Sequence, residues 1–494
     1  MGKILRRVIA IIPAALLQIL WLLVILKELL PYAHAINLVL TLFAVIFVLY
    51  IISSRNESSY KTLWLLIILG LPVMGTVLYL LLGNKRTGKG LKKKIERVKL
   101  ETDDSSCSDI IEEENLRFSQ TVKYLENKTG FKAQPVENVR YYPLGEDMFG
   151  DMLYDLENAE EFIFAEYFIV EKGKMWNSMV EIMERKVKEG VRVYVMYDDL
   201  GSISTYSKVN FLELTSKGIK CIRFNPIVFI RGTVNYRDHR KMLVIDGKVA
   251  YSGGVNLADE YINEIVRFGH WKDIGFRVTG KPAGAFTCMF AQFWNAFSEE
   301  IIEIPDTYEG KCGDGYVLSY YDSPLNDEAT SNTLYIDILS QAKAYAWFYT
   351  PYLLLGDSLL DAFCQAAKRG VDISIIMPGI PDKKMVFRMA KSYYRPLLDA
   401  GVKIYEYTPG FVHAKGMISD DIIGTVGTVN LDYRSLFLHF ENNSLFYRSS
   451  IIDSFKEDFI NTQNMSEEKT ASMLGGGFFR WIMDGILRVF APLC

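Results

Sequence analysis

Two segments of this chain carry the same spaced set of reactive side chains. His239, Lys241, Asp246, Gly253 and Asn256 recur at identical spacing as His413, Lys415, Asp420, Gly427 and Asn430. The pattern His-x-Lys-x4-Asp-x6-Gly-x2-Asn therefore occurs twice, and two of the chain's five histidines fall in it. A lone histidine on a strand is more often a structural residue, and a lone lysine a solvated charge. Two copies in register make coincidence a poor explanation. Histidine supplies a nucleophile or a general acid–base, and lysine stabilises charge developing on an anionic oxygen.

Local structure gives the spacing a reason. The run from His239 to Ile245 is strand-like, so residues two apart share a face. His239 and Lys241 project together, and so do His413 and Lys415. Asp246 and Asp420 complete the candidate catalytic set. Asp246 lies an odd number of residues from its histidine and precedes a glycine in a turn dipeptide. It and Asp420 are expected to act as turn or scaffold groups rather than phosphate ligands. Asn256 and Asn430 follow glycine-containing turns, where an amide can donate to a phosphoryl oxygen.

The elements that must position these residues read as α/β. From about residue 135, β-rich runs such as Phe162–Phe168 and Val191–Tyr197 alternate with helical stretches such as Trp176–Glu189. A second set succeeds it, and the two correspond. Glu189-Gly-Val-Arg-Val193 matches Arg369-Gly-Val-Asp-Ile373, and Gly218-Ile-Lys220 matches Gly401-Val-Lys403. In each a helix ends at a glycine and a strand begins. The chain of 494 residues is too long for one core, and a large duplicated unit fits that length.

The flanking segments differ. Three apolar stretches, Val8–Leu26, Ala35–Ile52 and Leu63–Leu82, each approach the length that spans a bilayer. Residues 84–100 then hold eight basic side chains against one acidic, which places the downstream chain in the cytoplasm. Residues 101–115 hold seven acidic side chains and no basic ones, the mark of a solvated linker. At the other end, Arg480, Asp484 and Arg488 form one polar stripe on an otherwise apolar helix. That pattern suits an interfacial membrane helix or a helix packed on the protein body. The net charge of −4 argues against a general nucleic-acid binder. The six scattered cysteines have no metal-site spacing and read as isolated thiols.

The doubled His-Lys-Asp motif resembles the signature of the phospholipase D superfamily. The contexts Asn235-x-Arg-x-His-Arg-Lys, Trp271-Lys-Asp273, Gly410-Phe-x-His-Ala-Lys415 and Gly427-Thr-x-Asn-x-Asp-x-Arg-Ser435 are similar to bacterial cardiolipin synthases. Lys272 stands where that family usually has arginine, and His439 where asparagine is usual. The resemblance implies two phospholipase D-like α/β repeats about a pseudo-twofold axis, behind an N-terminal transmembrane helical region. The expected divisions are 1–84 (membrane), 85–134 (linker), 135–310 and 311–470 (the repeats), and 471–494 (Gly-rich linker and amphipathic helix).

It further implies a multi-pass protein of the bacterial cell membrane with cytoplasmic catalytic domains, using phosphatidylglycerol. His239 would attack phosphorus, His413 would act as acid and base, and Lys241, Lys415, Asn256 and Asn430 would bind the phosphate. Asp273 and Glu441 would support the histidines from behind. No metal, nucleotide or nucleic acid is required. A lipid hydrolase, transfer to another alcohol such as serine, a nuclease and a non-catalytic scaffold are the competing expectations.

Overall fold

A computed structural model describes residues 13, 16–23, 33–54, 56–83, 89–98, 107, 111, 116–206, 208–226, 235–304, 313–326, 328–475 and 477–493. Its body is two mixed β-sheets with helices packed on them. The first sheet runs Val139–Tyr142, Gly275–Thr279, Val249–Gly253, Met242–Ile245, Phe162–Tyr167, Arg192–Asp198, Lys220–Phe224. Within the ten-stranded second sheet that order repeats as Tyr316–Asp322, His439–Tyr447, Ile423–Gly427, Gly416–Ser419, Tyr345–Tyr349, Asp372–Pro378, Lys403–Tyr407, with Gln134–Pro135 and Ser466–Lys469 added antiparallel at its two edges. In both, the last three strands of that order pair in parallel and the remaining neighbours pair antiparallel.

The duplicated elements form for the reasons their residues suggest. Phe162–Tyr167 is buried at every position, as a parallel strand covered on both faces must be. The helices ahead of Arg192 and Asp372 stop at Gly190 and Gly370, with φ of +99° and +92°, a conformation that costs glycine little. The buried helix Lys281–Phe297 has Pro282 in its first turn and packs on strands of both sheets, joining the two halves in one core.

Two short parallel pairings cross between the halves. Arg237–Asp238 pairs with the start of the strand His439–Tyr447, and Gly410–Val412 pairs with His270–Lys272. They relate to each other as the two halves do.

The N-terminal region departs from three membrane spans. Most of Val8–Leu26 lies outside the described residues. Ala33–Ser53 is a 21-residue helix whose side chains are described from Leu38 onward. The third stretch is split among Ser58–Gly70, Pro72–Leu78 and the π-turn Tyr79–Gly83. Pro72 lacks an N–H and its ring blocks the preceding turn, so it ends one helix and starts the next. Among the described residues no helix is long and apolar enough to cross a membrane. A span needs about 20 continuous apolar residues, and the break at Pro72 denies the third stretch that length. These helices share a small core of Ala44, Ile51, Trp64, Ile68 and Tyr79. Leu38, Leu42, Phe43, Ile46 and Leu49 remain 53–61% exposed.

The C-terminal helix Phe478–Phe490 packs on the body through its polar stripe. Asp484 lies 3.3 Å from Arg388, and Arg488 donates to the Ser392 carbonyl and covers the Tyr393 ring. Leu487 is buried in the core, while Phe478, Phe479 and Trp481 face outward at 69%, 82% and 72% exposure. Most of the acidic linker 101–115, and Cys312 and Cys494, lie outside the described residues; Cys221, Cys288 and Cys364 are unbridged thiols.

Candidate active site

Each motif sits where the chain crosses from the partner half's strand to its own sheet. His239 and Lys241 lie in the link between Arg237–Asp238 and Met242–Ile245, and His413 and Lys415 between Gly410–Val412 and Gly416–Ser419. The expected single strand is thus two short strands with the reactive residues between them. The main chain fixes each histidine against the other half: His239 N–H donates to Phe440 O at 2.9 Å, and His413 N–H to Lys272 O at 2.7 Å.

The crossing brings each imidazole to a carboxylate from the opposite half. His239 Nδ1 lies 2.8 Å from Glu441 Oε2, and His413 Nδ1 lies 2.7 Å from Asp273 Oδ2. Both carboxylates are fully buried. Two residues not singled out from sequence shape these pairs. Thr428 donates its hydroxyl to Glu441. At the matching place the first half has Gly254, where a Cβ would fall 1.9 Å from Asp273 Oδ1. The shorter carboxylate needs a glycine beside it, while the longer one accepts from a threonine. The Gly-Gly and Gly-Thr dipeptides were the available signal.

Both histidines line a cavity of about 510 Å³ that Asn256, Asn430, Tyr261 and His439 also border. Phe168 packs edge-on to His239 and Tyr261 edge-on to His413. Asn256 accepts from the Ile169 N–H at 3.0 Å and donates to the Tyr261 hydroxyl at 2.8 Å. Asn430 Oδ1 has no partner.

Lys241 and Lys415 lie behind the histidines, 1% exposed, and do not border the cavity. Lys241 Nζ donates to the carbonyl of His239 at 2.7 Å, and Lys415 Nζ to that of His413. Lys415 Nζ also lies 2.6 Å from His413 Nδ1, so the imidazole tautomer decides whether that nitrogen bonds lysine or Asp273.

Neither motif aspartate borders the cavity. Asp246 accepts from the N–H groups of Glu160, Glu161 and Phe162 at 2.7–2.8 Å. Asp420 does the same for Lys343, Ala344 and Tyr345, all at 2.8 Å, and pairs with Arg117. Each sits in a turn with positive φ, beyond the far end of the strand that succeeds its histidine, and secures the start of a neighbouring strand. Lys272, at the position where arginine was expected, bonds Asp458 and the Pro143 carbonyl. His270 meets the Tyr407 hydroxyl at 3.0 Å. The side chain of His34 lies outside the described residues.

Burial dominates the electrostatics. It lowers the His239 imidazole well below its ordinary range, with Lys241 and His439 adding to the effect. His413 falls to about 4 through burial and Lys415, against the raising influence of Asp273. Burial likewise brings Lys241 down to about 8 and Lys415 to about 7. The two carboxylates diverge. Burial pushes Glu441 up to about 8 despite Lys241, whereas the charges of His413 and Lys415 overcome burial and hold Asp273 below its usual range. A neutral imidazole thus sits on Glu441, and an ionised carboxylate sits behind His413. His239, His439 and Glu441 also hold ligand-type atoms within 4.8 Å of one another, with His239 Nδ1 already bonded to Glu441.

Residues 335–462 match the family model described as cardiolipin synthase, PLD-like domain, and residues 39–84 match the phospholipase D-nuclease N-terminal model. A cardiolipin synthase of Alkalihalophilus pseudofirmus is 34% identical over 93% of this chain and 93% of its own. An uncharacterized protein of Streptococcus mutans is 44% identical over 90% of this chain and 99% of its own. Among solved structures, phosphatidylserine synthase of Haemophilus influenzae aligns with a TM-score of 0.57 at 15% identity. It covers 75% of this chain and 97% of its own, a likeness of fold.

Proposed function

This chain belongs to the family of bacterial cardiolipin synthases, and from that premise we propose that it transfers a phosphatidyl group from one phosphatidylglycerol to another. The products are cardiolipin and glycerol. The observation that carries the proposal is the crossed pairing of His239 with Glu441 and His413 with Asp273. Holding each Nδ1 leaves each Nε2 for chemistry in the shared cavity.

In the first step His239 Nε2 attacks phosphorus, and the bond from phosphorus to the glycerol oxygen breaks. His413 Nε2 gives its proton to that oxygen, and glycerol leaves. In the second step His413 takes the proton from a hydroxyl of the second phosphatidylglycerol. That oxygen attacks phosphorus, the phosphorus–nitrogen bond breaks, and His239 is restored. The assignment of roles is supported by the asymmetry behind the rings. Both imidazoles are lowered, but Asp273 opposes the effect at His413, whereas burial, Lys241 and His439 all act to keep His239 neutral, as a nucleophile must be. A bound phosphodiester adds negative charge and raises the pKa of every nearby cation. From behind the cavity wall Lys241 and Lys415 act on the phosphoryl charge through space, and Asn256 and Asn430 at the wall orient the oxygens.

Membrane association of the catalytic body is supported by the outward apolar faces of the helices Ala33–Ser53 and Phe478–Phe490. Co-sedimentation with phosphatidylglycerol vesicles is expected for the intact chain and weakened by Trp481→Glu; unchanged binding would oppose this seat.

The decisive assay supplies purified protein with phosphatidylglycerol alone in mixed micelles. Cardiolipin and equimolar glycerol are expected, with a labelled phosphatidyl adduct on His239. Phosphatidic acid without cardiolipin would mean hydrolysis, and an adduct on His413 would reverse the two roles.

A further inference from the structure

His439 opens the strand His439–Tyr447 and lies opposite Arg237 in the crossing pair. It borders the same cavity as the motif histidines and is 9% exposed. Neither ring nitrogen has a hydrogen-bond partner. The nearest carboxylate oxygen, on Glu441, is 3.9 Å away, and Glu441 is already engaged by His239 and Thr428. The His439 ring centre lies 5.8 Å from that of His239.

Burial is the largest influence that keeps a proton off its ring, and the charges of Arg434, Arg237 and Lys241 add to it; Arg237 is itself paired with Asp198 at 3.2 Å. Arg237 Nη1 is itself buried without a partner. Leaving a buried donor unsatisfied costs about 1–3 kcal/mol, and here the unpartnered donors border a cavity from which an acceptor can reach them. A neutral imidazole offers one N–H, and amid three cations the group that N–H suits is an anionic oxygen. The matching position in the other half is Trp271, two residues ahead of Asp273 as His439 is ahead of Glu441. Its indole nitrogen also lacks a partner, and its ring lies 5.5 Å from His413. Each reactive histidine therefore has an unbonded heteroaromatic N–H beside it at the cavity wall.

We propose that His439 is a substrate-binding residue that donates its ring N–H to a non-bridging phosphoryl oxygen of the lipid phosphodiester on the His239 side of the cavity. The inference rests on the phosphodiester chemistry proposed above, and it does not depend on which alcohol accepts the phosphatidyl group.

The test compares donor-bearing with donor-free replacements in the full chain, in mixed micelles, following glycerol release from phosphatidylglycerol and its competitive inhibition by inorganic phosphate. His439→Asn keeps an N–H and should stay within about threefold of the parent in kcat/KM. His439→Phe keeps a ring of similar size without a donor. Its kcat/KM should fall about tenfold to hundredfold, mainly through KM, and its inhibition constant for phosphate should rise about tenfold, as expected for a lost bond to a charged group. His439→Met, also donor-free, serves the same comparison if the phenylalanine variant does not fold. A merely space-filling role predicts the reverse order, with phenylalanine tolerated and asparagine impaired. That order, or an unchanged phosphate constant in the donor-free variants, would overturn the proposal. Product identity in the parent is a separate readout: glycerol released with phosphatidic acid as the only lipid product would count against cardiolipin synthesis while leaving the His439 comparison intact.

Discussion

Replacing Asp273 with asparagine tests the crossed pairing most directly. The substitution keeps an oxygen that can accept from His413 Nδ1, now 2.7 Å from Asp273 Oδ2, and removes the charge together with the acceptor for the Ile274 N–H. A hydrogen bond to a charged group is worth roughly 1.5–3 kcal/mol, against about 0.5–1.5 kcal/mol for a neutral one. The difference of about 1–2 kcal/mol corresponds to about one pKa unit. Asp273 acts to raise the pKa of His413, which burial and Lys415 have already brought to about 4. Removing that influence lowers the pKa further. The protonated acid is then lost at lower pH as pH rises, so the descending limb of kcat/KM should move down by about one unit.

At neutral pH turnover of phosphatidylglycerol should fall about tenfold or more. The defect should nearly vanish on phosphatidyl-p-nitrophenol, whose leaving group needs no proton. Glu441→Gln, which disturbs the nucleophile instead, should impair both substrates. Paired measurements of glycerol and nitrophenolate release decide the matter. If the activated ester rescues Glu441→Gln rather than Asp273→Asn, the roles assigned to the two histidines are wrong. If it rescues neither, the acid–base reading of His413 fails.

Asp420→Asn should destabilise the fold by about 1–3 kcal/mol while leaving turnover per folded molecule within a few-fold, because asparagine cannot accept from every donor that Asp420 serves. Burial alone would raise this carboxyl, yet the backbone N–H groups and Arg117 hold it below its ordinary value. Its stabilisation is therefore present above the unfolded carboxyl pKa and lost as pH falls through the depressed folded one. Calorimetry against pH measures this, and lost turnover with unchanged stability would place Asp420 in the chemistry. Gly254→Ala should impair turnover about tenfold or more without touching a reacting group, because its methyl would displace Asp273. Rates on the two substrates should resemble those of Asp273→Asn, and a normal rate on phosphatidylglycerol would contradict the close packing.

Much of the framework was legible in the order of residues. The identical spacing of the motifs and the matched glycines at Gly190 and Gly370 declared a duplicated α/β unit, because helix ends and strand starts are set by local conformational preference. The Asp246-Gly247 dipeptide signalled a turn locally, and both residues take positive φ; alternation from His239 did not carry over, because His239 lies in a link ahead of the strand Met242–Ile245. The break in the third apolar stretch was also written locally, at Pro72, but average apolarity hid it. The C-terminal stripe of Arg480, Asp484 and Arg488 left two orientations open, and only packing against Arg388 and Ser392 chose between them.

Asp273 and Glu441 could be named from sequence as candidates, but not assigned to a histidine. Glu441 meets His239 across 202 residues and Asp273 meets His413 across 140. Those meetings depend on the two crossing strand pairs, and nothing in local periodicity specifies a partner at such distance. The doubled motif therefore determined which groups could do chemistry. Tertiary structure alone decided that each half supplies the carboxylate for the other half's histidine, because only pairing between the halves brings the opposing chains within hydrogen-bonding reach.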